Sequence, residues 1–182
     1  LFASALLGKK IKTYSFEPNA LNFSGLNRNI YLNGFNESIK SYCIGITKKS
    51  QFSKLNIYNF TSGASYSQVD EELDSREIKH SHGVFTVSLD DLCHIYKFPQ
   101  PNYIKIDVDG IEHLILEGAG RYLDDDNLLS LSIEINENFA EQHEKALKIM
   151  KEYNFKILHK KHNQERYKSN KHSNTFNYIF VR

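Results

Sequence analysis

A strand that changes directly into a helix is the feature that most constrains this fold. Residues 102–112 read Asn-Tyr-Ile-Lys-Ile-Asp-Val-Asp-Gly-Ile-Glu, and their first half has the apolar and β-branched content of a buried strand. At Gly110 the apolar spacing changes to that of a helix. Because ligands bind beyond the carboxyl ends of the strands in open parallel sheets, Asp107 and Asp109 stand where a site is expected.

The order of elements along the chain predicts an α/β fold. Helices and strands alternate, and the chain closes with two strands that have no helix between them. This order predicts a mainly parallel sheet covered on both faces, with an antiparallel hairpin at the C-terminal edge. Right-handed crossovers are expected to bring Glu17, Ile46, Asp107 and Asn136 to one edge of that sheet.

Several element boundaries are specific predictions. Residues 39–46 are expected to form one strand, and residues 111–122 have the apolar spacing of one helix. Asn19 and Ser88 are predicted to cap helices, and Asn138 with Glu141 forms a further capping signal.

Length and charge fit one globular domain over residues 1–182. The chain of 182 residues has 23 basic and 22 acidic side chains and a formal charge of +1, which gives no whole-chain electrostatic case for nucleic acid or an anionic membrane. No apolar run approaches the roughly 18 residues of a membrane span. Cys43 and Cys93 are too few for a disulfide framework, and we expect a cytoplasmic protein.

Five segments of the chain form a specific combination in order and spacing. They are Phe-Glu-Pro-Asn at 16–19, Leu-Asn-Arg-Asn-Ile at 26–30 with Asn33, Thr-Val-Ser-Leu-Asp-Asp-Leu at 86–92, Ile-Lys-Ile-Asp-Val-Asp-Gly-Ile-Glu at 104–112, and Leu-Glu-Gly-Ala at 116–119. Together they resemble the FkbM family of S-adenosylmethionine-dependent methyltransferases. The resemblance implies a Rossmann-like three-layer sandwich. The family's first strand and glycine-rich loop precede the helix that here begins at Leu1, so we expect an N-terminally truncated chain that binds the cofactor weakly.

The resemblance also implies a cofactor site and a catalytic site. Glu17, with Pro18 and Asn19 in the same turn, is expected to bind the ribose of S-adenosylmethionine, and Ile44 stands where relatives contact adenine. A solvated carboxylate before a proline turn is the alternative for Glu17, and a buried strand end is the alternative for Ile44.

Asp107 is the first candidate for catalysis, because a strand-end carboxylate can orient or deprotonate a hydroxyl. Its alternative is a structural carboxylate that accepts backbone amides. Glu134 is a candidate second acid, or an ordinary strand-end acid. Asp109 and Glu112 could hold a metal ion, but a helix-capping box explains both, so no metal is predicted.

The predicted function is therefore methylation of a hydroxyl oxygen on a sugar or small metabolite, with no nucleic acid partner. Two alternatives stay open. One is a catalytically degenerate nucleotide-binding domain of the same fold. The other is an RNA-binding module that uses the C-terminal basic loop formed by Lys156, Lys160, Lys161, Arg166, Lys168 and Lys171.

Overall fold

The computed structural model describes residues 1–61, 67–69, 77–108, 110–162 and 174–182. Its helices are α1 Phe2–Leu7, α2 Ala20–Leu32, α3 Leu89–His94, α4 Glu112–Glu117, α5 Gly120–Asp124 and α6 Ala140–Glu152. Its strands are β1 Thr13–Phe16, β2 Ile39–Tyr42, β3 Gly45–Ile46, β4 Gln51–Ile57, β5 Ser67–Val69, β6 His80–Val87, β7 Tyr103–Ile106, β8 Ser130–Asn136, β9 Lys156–His162 and β10 Thr175–Val181. The chain forms two compact units, residues 1–46 with 51–86, and residues 47–50 with 87–182.

The first unit contains two sheets. Strands β1 and β2 pair in parallel, and α2 connects them. The second sheet has the order β3-β6-β4-β5, with β4 antiparallel to both β5 and β6. Helix α2 begins as predicted, because the Asn19 side chain accepts a hydrogen bond from the Leu21 amide.

The prediction of one strand over residues 39–46 is wrong. Strand β2 ends at Tyr42, and Gly45 starts β3 in the other sheet of this unit. A Cβ atom on Gly45 would lie 3.0 Å from Cγ2 of Thr86, so the glycine permits a close approach of β3 to β6. That approach involves residues far apart in the chain, and local patterning does not reveal it.

The second unit contains one four-stranded sheet in the order β7-β8-β10-β9. Strands β7 and β8 are parallel, and β10 is antiparallel to both β8 and β9, which confirms the predicted C-terminal hairpin. Helices α4 and α6 pack on each other and contact β8, whose Leu131, Ile133 and Ile135 are buried. The fold is therefore α/β with mixed sheets, and the Rossmann-like, mainly parallel arrangement stays a prediction. One domain over residues 1–182 stays a prediction.

Two helix predictions in the second unit also need correction. The helix predicted over residues 111–122 is divided into α4 and α5 at Gly118, where a Cβ atom would lie 2.8 Å from Cα of Lys48. Helix α6 has Phe139 at its N-cap without a side-chain cap, so the predicted cap by Asn138 is wrong. The Asn138 amide instead donates to Oδ1 of Asn136 at 3.0 Å. Within the described ranges no helix has the length and apolar content that crossing a membrane requires.

Candidate functional site

Glu17 lies directly after β1 and connects it to the end of β2. Its amide donates to the carbonyl of Tyr42 at 3.0 Å. Its carboxylate oxygen Oε1 accepts the amide of Asn19 at 2.8 Å, which closes the turn around Pro18. The first unit thus brings Glu17, Pro18 and Asn19 together with the segment that follows β2.

Both polar atoms of the Asn19 side chain make hydrogen bonds within the first unit. Its Oδ1 caps α2, its Nδ2 donates to Oγ of Ser67 at 3.0 Å, and only 4% of the residue is exposed. Ile44 lies half-buried between β2 and β3. The cofactor-binding roles expected of both residues, and of Pro18, stay predictions.

The pKa of the Cys43 thiol depends in part on the charge of Glu17. The residue as a whole is exposed, but removal of water from around its sulfur raises the pKa of the thiol, and the negative charge of Glu17 raises it further. Glu17 therefore contributes negative charge to the surroundings of Cys43, the residue before Ile44. The predicted sheet edge included Glu17 and Ile46, but the effect of Glu17 on the Cys43 thiol was not predicted.

The second unit brings Asp107 and Glu134 to neighbouring positions. Strands β7 and β8 pair Lys105 with Ser132 and Ile106 with Ile133. Continuing this register by one residue sets Asp107 beside Glu134, on the face of the sheet that also carries Lys105. The two predicted catalytic acids therefore occupy adjacent register positions, Asp107 directly after β7 and Glu134 two residues before the end of β8.

The Asp107 carboxylate is more open to solvent than the sequence predicted. About half of the side chain, 51%, is exposed, and Oδ2 accepts a hydrogen bond from Nζ of Lys105. The expectation of a buried strand end is wrong for Asp107, because strand alternation directs Ile106 into the core and Asp107 to the other face. Lys105 was missed, although its i, i+2 spacing to Asp107 was visible in the sequence.

Glu112 anchors the turn that follows β7. Only 3% of it is exposed, Oε1 accepts the Gly110 amide at 3.4 Å, and Oε2 accepts a hydrogen bond from Nε2 of Gln142. Asp109 lies outside the described residues. The predicted capping box is nevertheless wrong for Glu112, because α4 has Ile111 at its N-cap. Among the residues that can be described, no three His, Cys, Asp or Glu side chains are arranged to hold a metal ion.

A carboxylate that sequence reasoning missed is Glu137, directly after β8. Its Oε1 contacts Nζ of Lys160 at 2.5 Å, accepts the hydroxyl of Tyr178, and lies 4.0 Å from Nε2 of His143. Burial alone would raise the pKa of Glu137, but the hydrogen bonds from Lys160 and Tyr178 outweigh it and lower that pKa. Burial and then the Glu137 contact raise the pKa of Tyr178 to about 12.

The comparisons with known proteins now identify the family. A family model described as the methyltransferase FkbM domain matches residues 1–157. The chain belongs to the FkbM methyltransferase family. The crystal structure of a methyltransferase FkbM from Methylobacillus flagellatus KT is similar in fold, with a TM-score of 0.62 and 16% identity. The similarity covers 100% of this chain and 39% of that one. No match was found among curated proteins.

The predicted basic loop is partly a strand in this FkbM-family chain, because its Lys156, Lys160 and Lys161 lie in β9. Arg166, Lys168 and Lys171 lie outside the described residues. Lys160 is committed to Glu137, and its Nζ also lies 4.0 Å from the centroid of the Phe176 ring. Lys160 is therefore a structural cation of the β9–β10 hairpin.

Proposed function

We propose that this chain belongs to a cytoplasmic S-adenosylmethionine-dependent methyltransferase with a Rossmann-like three-layer sandwich. Its acceptor is a hydroxyl oxygen of a sugar or another small metabolite. The observation that carries the proposal is the FkbM family match over residues 1–157. The adjacent register positions of the carboxylates Asp107 and Glu134 support it, because transfer to oxygen requires a group that takes the hydroxyl proton.

The residues of the first unit fit the nucleoside part of the cofactor. A partly exposed carboxylate at the end of a strand accepts hydrogen bonds from a ribose diol, and Glu17 provides one. The backbone and the apolar side chain at Ile44 suit the flat face and edge of adenine. When bound, S-adenosylmethionine supplies an electrophilic methyl group.

The residues of the second unit provide the proton chemistry. Asp107 accepts the proton of the acceptor hydroxyl, and its ion pair with Lys105 fixes the direction of the carboxylate. Glu134, on the neighbouring strand, orients the same hydroxyl or takes the proton onward. The main contribution is positioning, since methyl transfer needs an in-line approach more than a strong base.

The test separates binding from chemistry. Calorimetry with S-adenosylmethionine is run on the 182-residue chain and on the full-length product of its gene, and transfer of labelled methyl to a panel of sugars and polyols is measured. Asp107→Asn is expected to keep cofactor affinity and lose about 100-fold or more in turnover. The matched control is Asp124→Asn, at an exposed acid that ends α5, and it is expected to change neither.

Two outcomes contradict the proposal. Cofactor binding without transfer to any hydroxyl would favour the degenerate nucleotide-binding domain. Absence of both binding and transfer in the full-length protein would remove the methyltransferase function itself.

A further inference from the structure

Strand β8 of the second unit has one apolar face and one polar face. Along β8, Leu131, Ile133 and Ile135 are at most 1% exposed, and the residues between them are only partly buried. The partly buried residues that alternate with them are Ser130, Ser132, Glu134 and Asn136. Because side chains alternate along a strand, all four lie on the face opposite the apolar core.

At the Asn136 end of β8 the polar face continues onto β10, whereas Ile179 and Val181 occupy the same face farther along that strand. Register in β10 sets Asn177 directly opposite Glu134 and Thr175 directly opposite Asn136. Directly opposed residues share a face and have Cβ atoms about 4.5–5.5 Å apart. Asn177 is therefore the direct cross-strand neighbour of Glu134, and Thr175 lies diagonally from Glu134, opposite Asn136. The β7–β8 register, continued by one residue, sets Asp107 next to Glu134 on its other side.

Two of these groups have hydrogen-bonding capacity that the described part of the chain does not use. Thr175 is only 5% exposed, yet its Oγ1 has no partner there. Asn177 is half-buried, and its amide makes no side-chain hydrogen bond to another described residue. Since buried polar groups are normally hydrogen-bonded, a buried hydroxyl without a described partner, on the same sheet face as Glu134, points to a polar ligand.

We propose that Asn177 and Thr175, together with Glu134, bind the hydroxyl groups of a polyhydroxylated acceptor such as a sugar ring. The inference rests on the proposed function, which assigns the neighbouring Asp107 to the reacting hydroxyl. Carboxylates only accept hydrogen bonds, whereas the amide of Asn177 and the hydroxyl of Thr175 both donate and accept. This mixture matches hydroxyl groups, which also do both, and gives β10 a role in acceptor specificity.

The test is an NMR titration of the 182-residue chain, without cofactor, using methyl α-D-glucopyranoside. Cyclohexanol, which has one hydroxyl on a ring of similar size, is the control probe. We expect saturable changes in the side-chain amide signals of Asn177 with the glycoside and none with cyclohexanol. Asn177→Ala should weaken glycoside binding about 5-fold or more. Asn29→Ala, at an exposed position of α2, should leave it unchanged.

Thr175→Val provides a second variant that keeps the shape of the side chain. Because Oγ1 of Thr175 has no partner in the described part of the chain, the variant should keep its thermal midpoint and still lose glycoside affinity. The inference would be overturned if the glycoside shifted other NMR signals but not the Asn177 side-chain amide. It would also be overturned if both variants bound the glycoside with unchanged affinity. Addition of S-adenosylmethionine to the same samples tests the proposed function separately. If the cofactor does not bind, the glycoside titration can still be interpreted.

Discussion

Asp107 and Glu137 are both carboxylates near the ends of strands, but their surroundings suit them to different roles. Within the described ranges, Asp107 has one cationic neighbour, Lys105, and 51% of its side chain is exposed to solvent. Glu137 is 23% exposed and is surrounded by Lys160, Tyr178 and His143. A carboxylate that already accepts hydrogen bonds from Lys160 and Tyr178 has little capacity for a substrate proton. Asp107 therefore suits chemistry, and Glu137 suits stability.

One prediction concerns the charge of Glu17. Glu17→Gln keeps an oxygen that can accept the Asn19 amide, so the turn should persist, while the charge on the proposed ribose contact is lost. We expect affinity for S-adenosylmethionine to fall by about 1–3 kcal/mol, measured by calorimetry on the full-length protein. The thiol of Cys43 should also react faster with iodoacetamide, because loss of the Glu17 charge lowers its pKa. Unchanged cofactor affinity would remove Glu17 from the site.

The second residue-scale prediction concerns pH and Glu137. Its pKa is lower in the folded state than the ordinary value of 4.5, so its ionised form contributes stability at neutral pH, and that contribution is lost as pH falls below about 4.5. Glu137→Gln should lower the free energy of unfolding by about 1–2 kcal/mol at pH 7 and by less at pH 3.5, measured with urea. Glu144→Gln, on the exposed side of α6, is the control. An equal loss at both pH values would refute the charge-based explanation.

At the scale of elements, the predictions that succeeded depended on neighbouring residues. The caps at Asn19 and Ser88 were predicted correctly, since each side chain bonds an amide two or three residues away. The parallel pairing of β7 with β8 followed from the helical connection between them. The division of the helix at Gly118 was missed, because its cause is the distant backbone at Lys48.

The candidate site shows the same limit. Asp107 and Glu134 were expected at one sheet edge because a right-handed crossover leads from one strand to the next. The contact of Glu137 with Tyr178 joins residues 41 positions apart, and it depends on β10 entering between β8 and β9. Alternation of elements does not specify that order, so the sequence could not predict the contact.

A further prediction concerns the close approach of Gly118 to the backbone at Lys48. A Cβ atom there would lie 2.8 Å from Cα of Lys48 and 2.9 Å from the carbonyl oxygen of Thr47, so backbone would have to move. Gly118→Ala should destabilise the chain by about 1–3 kcal/mol, seen as a lower thermal midpoint. Gly83→Ala is the matched control, because a Cβ atom on Gly83 in β6 meets no atom within 4 Å. Equal midpoints for the two variants would contradict the steric explanation.

For the whole molecule, charge balance separates the proposed enzyme from a nucleic acid binder. The 23 basic and 22 acidic side chains give a formal charge of +1, and Lys160 is held by Glu137. Long-range attraction to a polyanion is therefore weak. Whatever specificity the chain has must come from local geometry such as the polar face of β8.

The corresponding prediction is that the chain does not bind single-stranded RNA at physiological salt. Fluorescence anisotropy of a labelled oligonucleotide should stay flat up to micromolar protein, with a basic RNA-binding protein as positive control. Binding that falls steeply as salt increases would mean that the C-terminal basic loop neutralises phosphates, and it would revive the RNA-binding alternative.

The position of β10 has a consequence for how this chain is made. Among the described strands, β9 pairs with β10 alone, and β10 also provides the second neighbour of β8. During synthesis, β8 and β9 therefore emerge from the ribosome with unsatisfied edges, which persist until residues 175–181 follow. Open edges of that kind can pair with other chains. The yield of native protein should thus depend on how quickly translation of that last strand is completed.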